Sequence, residues 1–176
     1  MFKPGDIVAV LGKPEEIVLN GLIEPQTRRF HHFPVGPSTD DGDYEIIEAR
    51  SDGIRAGRLS LYKGSEVVVY RIDDEAIALR AWQETSKYGR CNYDYFLFID
   101  LLAQANHYWQ KNGFKPVPYT WFKSADNGLL ICTELSCVIY QNVDFPLVIP
   151  GVTKTPAAIK AAYMDGKLHI AFEGPL

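Results

Sequence analysis

Strand-like segments fill the first part of the chain and helix-like segments follow them, and this order most restricts the fold. Three runs before residue 73 are rich in apolar and β-branched residues, which favour the half-buried surface of a sheet: Ile7–Leu11, Tyr44–Ala49 and Glu66–Ile72. Glycine, proline and aspartate, the residues of turns, lie between them. Strands followed by helices, rather than alternating with them, predict an α+β domain.

Helix signals begin at residue 73. The acidic residues Asp73–Glu75 and the pair Thr155-Pro156 are typical of helix starts, and Gly113 is typical of a helix end. The predicted helices run from Asp73–Glu75 through Trp82, over 94–112, from near 126–128 through Ile139, and over 155–162. Two late apolar runs, 145–149 and 168–172, have strand character, and the Gly- and Pro-bearing stretch Pro34–Gly42 is predicted to be a loop.

Size and composition describe an ordinary globular protein. The chain has 176 residues, 47% of them hydrophobic and 23% charged, so a single domain over residues 1–176 is expected. The net charge is −4 and the basic residues are scattered, which argues against nucleic acid as the partner. No apolar run has the length of a membrane-spanning helix or a signal peptide, so we expect a cytoplasmic protein without membrane insertion and with reduced cysteines.

Cys132 is the first candidate for chemistry. It lies in the first turn or so of a predicted helix, where the partial positive charge of the helix N-terminus favours a thiolate. A thiolate is the form in which cysteine acts as a nucleophile. Cysteine is also among the most buried residue types, and Leu130-Ile131-Cys132 suits a core equally well. From spacing alone, the packing interpretation is favoured about two to one.

The histidines offer one adjacent pair, His31 and His32, and two isolated residues, His107 and His169. If the pair lies on a strand, its two side chains point to opposite faces, so only one of them can face a given site. A surface pair or part of a metal site are the alternatives. A metal site would need further ligands at a recognisable spacing, and neither a CxxC nor an HExxH motif is present.

Glu48 is a carboxylate within the predicted strand Tyr44–Ala49. A glutamate buried in a strand is costly unless it has a partner, so its position suggests a pairing with a polar side chain. An imidazole that acts as a base needs such a group to orient its second nitrogen. The alternative is that Glu48 lies on the solvent face of a half-buried strand.

Several segments of the chain resemble motifs of the circularly permuted, YiiX-like branch of the NlpC-type papain-like hydrolases. The similar segments are Phe2–Val8 (to "kpGDiv"), Phe30–Phe33 (to "ySHvg"), Tyr44–Ala49 (to "vieA"), Val67–Arg71 (to "v.vyR"), Cys91–Tyr95 (to "pYDy") and Ile131–Leu135 (to "CSEL"). In this branch the histidine precedes the cysteine along the chain, as it does here. The resemblance implies a papain-like fold, a small antiparallel β-barrel or sheet packed against helices in circularly permuted order.

The same resemblance implies a cysteine peptidase or amidase in which Cys132 is the nucleophile, His32 the base and Glu48 the group that orients the imidazole. Tyr93 and His31 are then expected to contact substrate. His31 replaces the serine that precedes the family histidine, so it stays the alternative base, although the alignment favours His32. The expected substrate is a small peptide, a cell-wall-type peptide or an acyl-amino compound, and no cofactor or metal is required.

Other functions stay open from the sequence. A catalytically silent binding module could have the same fold, although no member of the implied triad is missing. A lipid acyltransferase would use the same thioester and differ in the acceptor of the acyl group. A structural domain whose likeness to the family is accidental would have three ordinary thiols.

Overall fold

The computed structural model describes residues 1–11, 29–50, 53–89, 95–115, 117–118, 121, 132–148 and 156–176. These residues form six strands: β1 (Ile7–Leu11), β2 (Arg29–Ser38), β3 (Tyr44–Arg50), β4 (Gly53–Arg58), β5 (Glu66–Arg71) and β6 (His169–Pro175). They also form four α-helices: α1 (Glu75–Glu84), α2 (Tyr95–Asn112), α3 (Cys132–Gln141) and α4 (Pro156–Met164). The predicted α+β class is confirmed.

The six strands form one antiparallel sheet in the order β4-β3-β2-β1-β5-β6. β1 lies at its centre, where Ala9 is opposite His32 of β2 on one side and Val68 of β5 on the other. Both faces of β1 are buried, which explains why its sequence is a continuous apolar run rather than an alternating one. The register of β1 against β2 therefore determines which β2 side chains point to each face.

The two faces of the sheet carry separate apolar clusters. Ile7 and Ala9 belong to a cluster that contains the buried residues of α3, whereas Val8 and Val10 belong to a second cluster with Phe33. We call the first the helix face and the second the opposite face. The first residue of α3, Cys132, is part of the helix-face cluster.

Gly5 lies just before β1 and contacts both α1 and α3. Its φ of +90° is in the region that glycine adopts most readily, and a Cβ atom there would lie 2.4 Å from the carbonyl oxygen of Ala78 in α1. Its own carbonyl accepts a 2.5 Å hydrogen bond from the hydroxyl of Tyr140 in α3. Gly5 thereby helps to fix the position of α3 on the sheet.

A buried ion pair connects the beginning of β1 to the end of β5. Arg71 donates from Nε to Oδ1 of Asp6 and from a terminal nitrogen to Oδ2, both at 2.7 Å. Two parallel N–H···O bonds give an arginine–carboxylate pair a defined geometry. Asp6 and Arg71 come from two of the segments that carry the family resemblance.

Helix boundaries agree well with the sequence. Asp74 caps α1 by accepting from the backbone N–H groups of Ala76 and Ile77, and α2 ends before Gly113, whose φ is +72°. Proline is the first residue of α4, as predicted. The predicted start of α3 near residues 126–128 lies outside the described residues.

Two expectations about loops and strands were wrong. β2 continues to Ser38 through the predicted loop, because Pro34 pairs with Ile7 of β1 while the β2–β3 ladder is irregular between Val35 and Ser38. An irregular ladder tolerates a residue without an N–H. The described part of the predicted strand 145–149 is not a strand, since Phe145 N–H donates back to the Tyr140 carbonyl.

Within the described residues, the helices are all too short or too polar to cross a membrane.

Candidate functional site

Four of the predicted site residues come together where α3 packs against β2 and β3. His31 and His32 lie on β2, Glu48 lies on β3, and Cys132 is the first residue of α3. All four side chains belong to buried residues. Tyr93, the remaining predicted site residue, lies outside the described residues.

His31 is the imidazole that contacts Glu48. Its Nε2 atom lies 3.0 Å from Oε2 of Glu48. The predicted pairing of Glu48 with His32 is therefore wrong. Side chains alternate along a strand, and His31 shares with Phe33 the opposite face of the sheet, where its ring also stacks on Tyr62 at 5.9 Å.

Glu48 is fully buried and accepts hydrogen bonds from four side chains. Besides His31, the hydroxyl of Tyr62 donates to Oε2, and Nε atoms of Arg50 and Arg55 donate at 3.1 and 3.0 Å. Burial alone would raise the pKa of this carboxyl group, but the bonds from His31 and Tyr62, followed by the charges around it, lower the pKa to about 2. Glu48 is thus held as a carboxylate, which satisfies the requirement for burying a charge.

His31 interacts with two negatively charged partners. Burial disfavours the charged ring, but the interactions with Cys132 and Glu48 outweigh it and raise the pKa of His31 to about 9. One imidazole therefore interacts with both groups, through Nε2 with Glu48 and also with Cys132.

Cys132 is held in an environment that favours the thiolate. Burial raises the pKa of the thiol, but the interactions with His31 and then His32 outweigh it, so that the pKa lies well below its ordinary value. Cys132 is the first residue of α3 that the structure describes. A thiolate beside a protonated imidazole is the arrangement from which a cysteine nucleophile attacks. Cys132 and Cys137 are both free thiols.

His32 lies on the helix face, next to Cys132 but away from Glu48. It is only 1% exposed, and neither of its ring nitrogens has a hydrogen-bond partner among the described residues. Its interaction with the thiol of Cys132 helps to lower the pKa of that group. The two adjacent histidines thus lie on opposite faces of the sheet, and both interact with the thiol of Cys132.

The sequence reasoning missed the residues that surround Glu48, namely Tyr62, Arg50 and Arg55. One signal could have found Arg50, which follows Glu48 by two residues and so projects from the same face of β3. Arg55 is opposite Glu48 through the register of β3 with β4, and a two-residue turn at Asp52-Gly53 would have placed Gly57 there instead. No sequence signal predicted the position of Tyr62, because it depends on the 3₁₀ helix Leu59–Tyr62.

Over the described part of the chain, no group of three or more His, Cys, Asp or Glu side chains could hold a metal ion. The charged groups near Cys132 are instead engaged with one another, through the bonds of Glu48 to His31, Arg50 and Arg55.

No family model, curated protein or solved structure matches this chain. A buried carboxylate, an imidazole bound to it and a thiol of lowered pKa form a connected series. Such a series can generate a thiolate and transfer a proton beside it.

Proposed function

We propose that this protein is a cysteine amidase with a papain-like fold in circularly permuted order. Its expected substrate is an amide bond in a small peptide, a cell-wall-type peptide or an acyl-amino compound. The observation that carries the proposal is the series Cys132–His31–Glu48, in which one imidazole interacts with both a thiol and a buried carboxylate. Nucleophile, base and orienting group are the parts that thiol-dependent acyl transfer requires.

The reaction follows from these positions. The Cys132 thiolate attacks the carbonyl carbon, and the electrons of the C=O bond move to oxygen. When the tetrahedral intermediate collapses, the C–N bond breaks and His31 gives the proton on Nδ1 to the leaving amine. Water then attacks the thioester with His31 as base, which releases the acid and the thiol. Glu48 keeps its charge throughout and holds the ring in place.

His31 is the better candidate for the base, in place of the His32 favoured by alignment. A base needs a group that fixes its tautomer and ring orientation, and Glu48 contacts His31. His32 has no carboxylate partner among the described residues. If His31 is the base, the catalytic histidine lies one position before the residue that aligns with the family's histidine.

The arrangement of helices and strands supports the family likeness whether the base is His31 or His32. The candidate nucleophile begins a helix that packs on an antiparallel sheet, and the histidine and the carboxylate lie on two adjacent strands of that sheet. Along the chain the order is His31, Glu48, Cys132, as in the permuted branch.

The test is the rate at which iodoacetamide alkylates Cys132 as a function of pH, measured by peptide mass spectrometry. Wild-type protein, His31→Ala and His32→Ala are compared, and Cys137 in the same samples serves as the reference thiol. We expect an apparent pKa for Cys132 well below the value of about 8.5 for a free thiol, with the larger rise in His31→Ala.

Two results would count against the proposal. If His32→Ala and not His31→Ala raises the pKa of the thiol, the base is His32. If Cys132 reacts as slowly as Cys137 in wild-type protein, the chain lacks an activated nucleophile and a binding module becomes the better interpretation. Incubation with acyl-amino compounds then tests turnover directly, since the acyl-enzyme mass must be absent from Cys132→Ala.

A further inference from the structure

The C-terminal end of α2 carries the most exposed aromatic ring among the described residues. Phe114 follows the helix stop at Gly113 and is 94% exposed. Its ring lies 5.8 Å from the indole of Trp109, which is itself partly exposed. We call residues 109–115 the α2 tip. Two large aromatic side chains together at the surface form an apolar patch that a partner can cover.

The α2 tip is basic, although the protein as a whole is acidic. The chain has a net charge of −4, yet the sequence from 101 to 125 contains Lys111, Lys115 and Lys123 and neither Asp nor Glu. Lys111 and Lys115 are exposed, and neither forms an ion pair within the described residues. Cations beside exposed aromatic rings are typical of protein surfaces that lie on anionic lipid. The charge of the α2 tip is therefore complementary to that of an anionic partner.

The backbone of the α2 tip is hydrogen-bonded within the tip itself. The N–H of Gly113 donates to the Trp109 carbonyl at 2.9 Å, and the N–H of Lys115 donates to the Gly113 carbonyl at 2.7 Å. The Lys115 carbonyl in turn accepts from Nε1 of Trp109 at 3.0 Å. Unpaired backbone groups are costly in an apolar phase, so this pairing lowers the cost of placing Phe114 there. It favours lipid over nucleic acid, to whose phosphates unpaired backbone N–H groups would donate.

We propose that the α2 tip docks on the surface of an anionic phospholipid membrane. Phe114 and Trp109 enter the boundary between headgroups and acyl chains, while Lys111 and Lys115 contact the negative charges of the headgroups. The contact is peripheral, since only the end of one helix enters the interface. This inference goes beyond the proposed acyl transfer and does not depend on it.

Co-sedimentation with vesicles tests the inference on the full chain. The vesicles consist of phosphatidylcholine alone or of phosphatidylcholine with phosphatidylserine, and each is used at low and at physiological ionic strength. Phe114→Ala removes the exposed ring. Its matched control is Met164→Ala, because Met164 is an apolar residue 72% exposed at the end of α4.

A second pair of variants tests the charges. Lys111→Gln/Lys115→Gln removes two positive charges from the α2 tip. Lys63→Gln/Arg80→Gln removes two positive charges from exposed residues elsewhere and so has the same net charge. Circular dichroism checks that each variant is folded.

We expect the wild-type protein to bind vesicles that contain phosphatidylserine, and to bind them less as salt screens the lysines. Phe114→Ala should lower the partition coefficient on the order of 10-fold, because the ring no longer leaves water. Lys111→Gln/Lys115→Gln should lower it about 30-fold, from the attraction of two lysines to an anionic membrane. Both control variants should bind as the wild-type protein does.

Two vesicle results would overturn the inference. One is the absence of wild-type binding to phosphatidylserine vesicles, and the other is an equal loss of binding in the control variants. A single-stranded oligonucleotide is tested in parallel, because bases also stack on aromatic rings beside cations. Binding of the oligonucleotide without binding of vesicles would assign the α2 tip to nucleic acid instead. None of these results bears on Cys132, because vesicle binding involves no reaction at the thiol.

Discussion

Nε2 of His31 lies 3.0 Å from Oε2 of Glu48, and no part of the Glu48 side chain is exposed to solvent. The bond joins two adjacent strands on the face of the sheet away from α3, yet the same imidazole also interacts with Cys132 of that helix. Because Glu48 holds Nε2 and the ring also stacks on Tyr62, the orientation of His31 is determined before any substrate binds.

Protonation of His31 should persist well above neutral pH. Interaction with Cys132 and Glu48 raises its pKa to about 9, so the ring stays charged up to that pH and its contribution to stability is lost as the pH rises through it. We expect amine release to slow above a pH of about 9. An NMR titration of the His31 ring measures the pKa, and Cys132→Ser should lower it towards 6.5. A His31 pKa near 6.5 in the wild-type protein would contradict the thiolate–imidazolium pair.

Glu48→Gln should weaken both the fold and the site. The carboxylate has a pKa lowered from 4.5 to about 2, so its contribution to stability is present above pH 4.5 and is lost as the pH falls towards 2. A difference of this size corresponds to about 3 kcal/mol of unfolding free energy at neutral pH. Urea unfolding measures the loss, and iodoacetamide alkylation of Cys132 should show a raised thiol pKa. A fully stable variant with an unchanged thiol would show that Glu48 is dispensable.

Tyr62→Phe removes one donor to Glu48 and keeps the aromatic ring against His31. The hydroxyl donates to Oε2 of Glu48, while the ring packs against His31 and Phe33. We expect a loss of about 1.5–3 kcal/mol of unfolding free energy, the range for a hydrogen bond to a charged group. Tyr62→Leu should cost more, because it removes the ring as well. Equal losses in the two variants would mean that the hydroxyl alone matters.

Asp6→Asn should destabilise the junction of β1 and β5. Asp6 is 1% exposed and accepts two bonds from Arg71, so its neutralisation leaves a partly buried guanidinium without its counterion. Breaking a buried pair from one side typically costs about 3–5 kcal/mol. Glu75→Gln is the matched control, because it breaks the solvent-exposed pair with Lys3 and should leave the urea midpoint nearly unchanged. Similar midpoints for the two variants would contradict this account.

Gly36→Ala should disturb the contact between β2 and α1. A Cβ atom at position 36 would lie 2.2 Å from the ring of Trp82, so the indole must move. Overpacking of this kind costs about 1–3 kcal/mol. Gly89→Ala is the control, since its φ of −62° suits alanine and its Cβ would meet no atom within 4 Å. Thermal unfolding of the two variants gives the comparison, and equal melting temperatures would refute the contact.

Local sequence signals predicted much of the secondary structure. The cap at Asp74, the stop at Gly113 and the proline at the start of α4 depend on backbone groups within a few residues, so they can be recognised without the fold. The same holds for the apolar runs of β1 and β5. By contrast, β4 was missed because the sequence Gly53–Arg58 has little strand character, and it is a strand because it pairs with β3.

The sequence alone predicted that Cys132 lies near the start of a helix and that Glu48 lies within a strand. For the adjacent histidines it set a condition: if they lie on a strand, only one of them can face a given side of the sheet. Which histidine meets Glu48 was decided by tertiary structure, through the register of β2 between β1 and β3. A shift of one residue exchanges the faces of His31 and His32, and that register depends on contacts between segments distant along the chain.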